Sequence, residues 1–509
     1  MIELFASEEQ GRNHHLRKRW GKGPSATCKV FMNVIYLLNN RYILSLPLIL
    51  LFFLASIDFI FLLGVGERED VVFAASDQAF SGEIDPRRID AAILKARFQS
   101  AVYMLTIGLS VFYAKQIFRY FLTHPHLLLI FIYLLSGTIY SISPSKVLSN
   151  TVILVISFIA GILFCEHRNA KANYHDLYLI FLIPLVVIHT AGLWFLANLQ
   201  IDIVDYIVSD LRFGGLVGNP NTYGITCTIG FWASLSLLAA KECHIFTRLF
   251  ALYCIALFVV GALLTGSTTT IVNLVVITVT LIWMMGIIRF KTGSRVLAIF
   301  ITALLAVIIS VFVLILFTPA ELLSLSTESV GKDTTLTGRT DLWQIALDAI
   351  TNRPAFGWGF DSHISVKSDV DFDMPYNHYH NGFLDTMVAG GILLIVIVIY
   401  NFARFVRYFS RVIAINPAAY PLVIPLVVLV VLNITEYALL RPNSHLWLVY
   451  TAVFVTLSHP FTIIGKKRKT SSPKRRSRTR SRSRSKSKRN KTGSSKTSLH
   501  RIRSKNRSA

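Results

Sequence analysis

Apolar runs long enough to cross a membrane recur along this sequence, and no other feature limits its fold so tightly. Ile43–Leu63, Ile271–Ile288 and Val296–Phe317 each match the length of a helix that crosses roughly 30 Å of hydrocarbon. In lipid every backbone N–H and C=O must find an internal partner, so such runs read as helices. Apolar types make up 53% of the 509 residues and charged types 16%, against about 25% charged in an ordinary soluble chain. The expectation is an all-α integral membrane protein with about twelve transmembrane helices. The runs lie at 43–63, 98–114, 127–141, 147–164, 177–197, 222–240, 249–265, 269–288, 296–317, 382–403, 419–438 and 444–463.

The charges orient these helices. With the N-terminus inside, the inner connections carry Lys115 and Arg119; His167, Arg168 and Lys171; Lys241 and Arg248; Arg289, Lys291 and Arg295; and Arg404, Arg407 and Arg411. Basic residues favour the cytoplasmic side. Outer connections are poorer in bases or balanced by acids: residues 65–97 hold seven acids and five bases. Both termini are therefore expected in the cytoplasm. The loop 318–381 is the one sizeable polar piece between spans, and within it 340–352 reads as an amphipathic helix presenting Trp343, Ala346, Leu347 and Ile350 on one face.

Three regions follow. Residues 1–42 form a basic cytoplasmic segment, too long for an ordinary cleaved signal and read as leading into an uncleaved anchor. Residues 43–463 form the membrane domain. Residues 464–509 are rich in Ser and Arg and nearly free of apolar types, so they cannot bury a core and are expected to be disordered. From Lys466 onward there are 20 Lys/Arg and no acids, leaving 31 basic and 28 acidic residues in the remainder. The formal charge of +23 is thus a property of the tail. Its expected partner is anionic inner-leaflet lipid, with no specific nucleic acid. Cys28, Cys165, Cys227, Cys243 and Cys254 form no CxxC pair, which offers neither a zinc nor a redox motif.

The outer segments hold the residues suited to chemistry. They are Leu211–Gly215 with Gly218-Asn219-Pro220-Asn221; the turn Thr265-Gly266-Ser267-Thr268; Leu336–Trp343; Phe356-Gly357-Trp358-Gly359; and His378–Leu384. The charge rule, applied without reference to them, puts all five on one side. Arg212 and Arg339 are candidates for pairing with phosphate oxygens, because guanidinium offers a planar bidentate fork. His380 is the candidate proton acceptor, since imidazole titrates near neutrality. The residues Asn219, Asn221, Ser267, Trp358 and Asn381 complete the candidate set, as substrate-binding groups. Each also has a structural reading: Arg339 can pair with Asp341, Asn381 can cap a helix with His380 beside it, and Gly357 and Gly359 can shape a turn. A His-x-His metal pair at 378 and 380 shows no obvious third ligand, and Asp369, Asp371 and Asp373 read as a polar loop.

The Arg-x-x-Gly…Asn-Pro-Asn segment at 212–221, the Gly-Arg…Trp…Asn-Arg-Pro…Gly-x-Gly stretch at 338–359 and His-Asn-x-x-Leu at 380–384 together resemble the O-antigen ligase and polymerase superfamily of membrane glycan enzymes. Glu436 resembles an acid that the family tends to carry late in the chain. Thr268 departs from the pattern, as many relatives have Arg there. The resemblance implies a metal-independent glycosyltransferase of the bacterial inner membrane, with no cofactor. Its donor would be a polyprenyl-diphosphate-linked glycan and its acceptor a second glycan or lipid A–core. The product would be lipopolysaccharide O-antigen or exopolysaccharide, made at the periplasmic face. The competing class is a lipid-linked oligosaccharide or polysaccharide flippase. Transporters place ionisable groups at mid-bilayer in broken helices, whereas here only Asp58 and Glu436 stand out within the spans.

Overall fold

The computed structural model describes residues 40–58, 86–166, 170–198, 212–240, 244–287, 339–360, 378–442 and 444–459. Regular structure among them is helical, with an isolated bridge at Phe213. The helices are α1 (Arg41–Ser56), α2 (Pro86–Phe112), α3 (Ala114–Thr123), α4 (Pro125–Ser136), α5 (Pro144–Cys165), α6 (Ala170–Asn198), α7 (Pro220–Ala239), α8 (Ile245–Leu264), α9 (Thr268–Ile287), α10 (Arg339–Asn352), α11 (Gly382–Ile415), α12 (Ile424–Leu432) and α13 (His445–Ser458).

Six of these stretches are long and apolar enough to cross a membrane: Pro144–Cys165, Tyr174–Ala197, Pro220–Ala239, Ile245–Leu264, Thr268–Gly286 and Gly382–Ile415. The pair Asp90–Phe112 and Ala114–Thr123, bent by 89°, passes the same test together, as a broken span or a re-entrant loop. Shorter apolar helices occupy Arg41–Ser56, Pro125–Ile139, Pro417–Leu432 and His445–Ser458. The run 296–317 and the acids at 369–373 lie outside the described residues. Large side chains such as Val187, Trp194, Leu249, Val260, Val279, Ile282, Val396 and Ile399 stand exposed on the outer faces of the bundle. A water-soluble surface would not carry so continuous an apolar coat.

The centre is built from the opposite pattern. Every residue of α13 is buried, as expected of a helix that is apolar all round. It is flanked by α5 and α12. Between α7 and α8 close approach depends on glycine: a side chain at Gly230 would strike the Phe258 ring, and one at Gly261 would strike Cys227 and Tyr223. Small residues at helix interfaces permit this approach in membranes.

Two expected elements differ. The eleventh run does not form one helix to residue 438. A 3-10 turn at Pro417–Val423 leads into α12, which stops at Leu432, so Glu436 sits in non-helical chain before α13. Pro421 and Pro425 remove backbone donors early in the run, and the Asn433 side-chain oxygen then accepts the N–H groups of Ala438 and Leu439 at 2.9 Å each, folding the chain back. The second difference is the buried face of α10. It is Leu342, Ala346 and Ala349, packed with Trp358 and Val388, while Leu347 is exposed. The two alanines let the Trp358 ring come close, which turns Leu347 outward.

α11 is broken where its own ladder fails. Gly391 has φ +60, and the backbone around it finds partners in residues 354–359. Trp358 N–H donates to Val388 O at 2.8 Å and Gly359 N–H to Ala389 O at 2.9 Å, while Ile392 N–H donates to Pro354 O at 2.8 Å. The Tyr133 hydroxyl closes the set by donating to Gly390 O at 2.6 Å. The Phe356–Gly359 motif is therefore a backbone plug for a helix break. Gly357, at φ +65, would place a Cβ within 2.5 Å of Val388 O. Gly357→Ala is expected to lower the thermal midpoint of the purified protein, since left-handed strain costs about 1–3 kcal/mol before the clash is counted. Gly108→Ala, in the interior of α2 where a Cβ meets nothing within 4 Å, is the control expected not to lower it in the same melting assay.

Candidate functional site

The segment around Arg212 is folded by its glycines. Phe213 N–H bonds to Leu264 O at 3.0 Å, a 3-10 turn follows at Gly215–Val217, and Gly218 takes φ +80 against Asp58. Asn219 then caps α7, its Oδ1 accepting the Thr222 N–H at 3.1 Å, with Pro220 in the first turn. This path brings Arg212 back over the turn between α8 and α9. Its Nε donates to Thr265 O at 3.1 Å and its Nη2 to Asn221 Oδ1 at 2.7 Å. Gly266, at φ +58, makes that turn tight.

From Asn221 the contacts run on. Its Nδ2 donates to Glu436 Oε1 at 3.3 Å. The amide orientation follows from chemistry, because Arg supplies only donors and a carboxylate only acceptors. The other Glu436 oxygen, Oε2, lies 3.5 Å from His380 Nδ1. Arg212, Asn221, Glu436 and His380 thus form one polar chain. Asn433 fixes its far end: Gly382 N–H is shared by the carbonyls of Asn433 and Glu436 at 2.9 Å each. A Cβ at Gly382 would collide with the Asn433 side chain.

His380 is held in an unusual conformation. Its φ is +50, a region that residues other than glycine occupy uncommonly, histidine being, with Asn and Asp, among those that do so more often. The next residue, Asn381, caps α11, with its Oδ1 accepting the N–H groups of Phe383 and Leu384 at 3.0 and 3.1 Å. His380 N–H donates to His378 Nδ1 at 3.2 Å, which places the neutral His378 proton on Nε2. A carboxylate oxygen facing His380 Nδ1 favours the tautomer that leaves Nε2 to accept a proton. The side chains of His380 and Glu436 are 16% and 11% exposed, largely shielded yet open on one side.

α10 is tied to the same place. Trp343 Nε1 donates to Tyr379 O at 3.0 Å, and Tyr379 N–H donates to Asp385 Oδ1 at 3.3 Å. Burial, with the Asp385 charge adding to it, holds the Tyr379 phenol well above its ordinary range. Arg339 opens α10 one turn before Trp343; its side chain lies outside the described residues.

The structure brings Arg212, Asn221 and His380 into one chain of contacts and gives other candidates structural tasks. Asn219 and Asn381 are helix caps. Ser267 is buried at the start of α9, its Oγ accepting the Thr270 N–H at 3.4 Å. Trp358 is 6% exposed, donates Nε1–H to Ala349 O at 2.9 Å and has the Arg353 guanidinium 4.0 Å from its ring centre. It packs α10 onto α11 in place of presenting an open stacking face. Glu436 and Asn433 were missing from the sequence-derived set of site residues. Their signal was a carboxylate and an amide closing an otherwise apolar run, positions where polarity is costly and needs a reason. Among the described residues no group of three or more His, Cys, Asp or Glu side chains is placed to hold a metal ion.

A family model described as O-antigen ligase matches residues 253–399. A search of curated proteins finds no match. The matched segment contains Arg339 and His380 but neither Arg212, Asn221 nor Glu436; two hydrogen bonds join these three to one another, and a 3.5 Å contact joins Glu436 to His380. The match supports the O-antigen ligase superfamily that the motifs resemble.

The chain of contacts makes a test of its own. Asn221→Asp sets a second carboxylate against Glu436 and is expected to lower the melting midpoint in detergent. Combining it with Glu436→Gln should restore part of the loss, with a coupling of about 0.5–3 kcal/mol for groups in one network. Strict additivity of the two changes would show that the residues do not interact.

Proposed function

We propose that this chain, which carries an O-antigen ligase segment at residues 253–399, is a membrane glycosyltransferase that moves a glycan from a polyprenyl diphosphate carrier to a hydroxyl acceptor. The observation that carries this reading is the continuous path from a cation to a shielded imidazole through Asn221 and Glu436. In the proposed step the acceptor hydroxyl attacks the anomeric carbon while His380 Nε2 takes its proton. The bond to the diphosphate oxygen breaks, and the released diphosphate is stabilised by Arg212 and Arg339. Glu436 orients the imidazole and balances its charge when protonated, as the carboxylate does in other acid–base pairs. The acceptor is a second carrier-linked glycan or lipid A–core.

In this reading the membrane domain has twelve spans, both termini are cytoplasmic and the chemistry faces the periplasm. The alternation of basic connections supports that sidedness. Single cysteines at 330 and 370 should react with an impermeant thiol reagent from the periplasmic side, while cysteines at 292 and 480 stay protected in intact cells. Reaction of 370 only after the inner membrane is permeabilised would reverse the orientation.

The chemical test uses purified protein in liposomes with carrier-linked glycan. His380→Ala is expected to lose roughly 10²–10⁴-fold in transfer rate, the usual contribution of a general base. His380→Gly should lose as much while melting no lower than the parent, because glycine adopts φ +50 without strain. Arg212→Lys and Arg339→Lys keep the charge and lose the fork, so transfer should fall in each. Full transfer by a normally folded His380→Ala protein would refute the assignment. In cells, loss of capped lipopolysaccharide with repeats still made would indicate a ligase; loss of long chains with single repeats retained would indicate a polymerase.

A further inference from the structure

A groove of about 450 Å³ opens between α6 and α8, on the exposed apolar coat of the bundle. Its lining is Thr190, Leu193, Trp194, Tyr253, Leu257 and Val260, with Ala256 between the last three. The size falls within the roughly 300–1,000 Å³ common to small-molecule sites. Its two hydroxyls, Thr190 and Tyr253, pair with each other at 3.2 Å. One of the two O–H donors is thereby engaged within the groove wall, which lowers the polarity a hydrophobic occupant meets.

One wall of the groove, α8, leads to the turn that holds Arg212. α8 ends at Thr265, whose carbonyl holds Arg212 Nε. Tyr253 and Val260 precede Thr265 by twelve and five residues, which at 1.5 Å per residue places them about 18 and 8 Å down the helix. On the other wall, a side chain added at Gly192 would meet Leu216 and Gly215, in the segment between Arg212 and Asn221. A molecule whose diphosphate lies at Arg212 and whose tail runs down into lipid must leave along one of the bundle's outer faces, and Val260 in this groove lies about one and a half turns down α8 from the residue that holds that arginine. Methyl-rich and aromatic walls suit a branched, unsaturated chain.

We infer that the groove between α6 and α8 holds the first isoprene units of the donor's polyprenyl chain. This inference rests on the reading above that the donor is a polyprenyl diphosphate. Val260 is 47% exposed, so Val260→Trp fills the groove without overpacking the core. The experiment compares two donors bearing the same glycan, one with a full-length polyprenyl chain and one cut to two isoprene units. Val260→Trp should raise KM for the long donor about tenfold or more while leaving its kcat and the kinetics of the short donor nearly unchanged. Equal effects on both donors, or none on either, would overturn the inference.

A readout independent of transfer accompanies it. A benzophenone side chain at Leu193 in liposomes containing labelled polyprenyl diphosphate should crosslink to that lipid. Excess unlabelled polyprenyl diphosphate should abolish the crosslink and phosphatidylglycerol should not. Crosslinks to phospholipid alone, or to a second copy of the chain, would refute the assignment. Should the unaltered protein use neither donor, the proposed function fails, and the crosslink still decides what occupies the groove.

Discussion

Everything in this protein depends on where its membrane helices are allowed to break. In hydrocarbon an unsatisfied backbone group costs several kcal/mol, so non-helical chain persists only where protein supplies the missing partners. α11 breaks at Gly391, and residues 354–359 supply them. α12 stops at Leu432, and the Asn433 side chain supplies them. The turn between α8 and α9 exposes the Thr265 carbonyl, and Arg212 supplies one. Each break is thereby locked in position, and the second and third carry Glu436 and Arg212 into one chain of contacts.

That economy explains why the candidate site needs so few dedicated residues. Asn381 caps α11 and, in doing so, fixes His380 just ahead of it. Asn433 closes a turn and presents Glu436. Trp343 anchors α10 to the Tyr379 carbonyl and sets the helix that begins at Arg339. The left-handed conformation of His380 carries a cost in this arrangement, and glycine would fill that position more easily. The ring that His380 sets 3.5 Å from Glu436 is what a glycine there would lack.

Much was legible from the sequence. Most of the apolar runs coincide with described helices, because burial in lipid leaves a local signal; α3 (Ala114–Thr123) lies almost wholly outside them. The glycine-rich motifs were legible as turns, and Gly218, Gly266, Gly357 and Gly359 all adopt positive φ. Asn219, Asn381 and Ser267 make bonds that satisfy helix starts, and Trp358 fills the α10–α11 interface. A cap and a ligand contact call for the same side chains, so residue type could not separate them. The face of α10 was misjudged at Leu347 for a similar reason: periodicity gives a stripe, and the shape of the partner, here Trp358, selects its edge.

By itself, the sequence determined that the chain is a helical membrane protein, and that cations, amides and histidines gather in a handful of segments between helices. It did so because hydrophobicity and backbone chemistry act locally, residue by residue. Only the tertiary structure decided which of those groups touch. Arg212 and Glu436 are separated by more than two hundred positions and joined by one asparagine, a relation set by where α7 starts and where α12 ends. No local property encodes that distance. It is fixed by helix breaks whose partners lie elsewhere in the chain, and it is what turns a scatter of polar residues into a site.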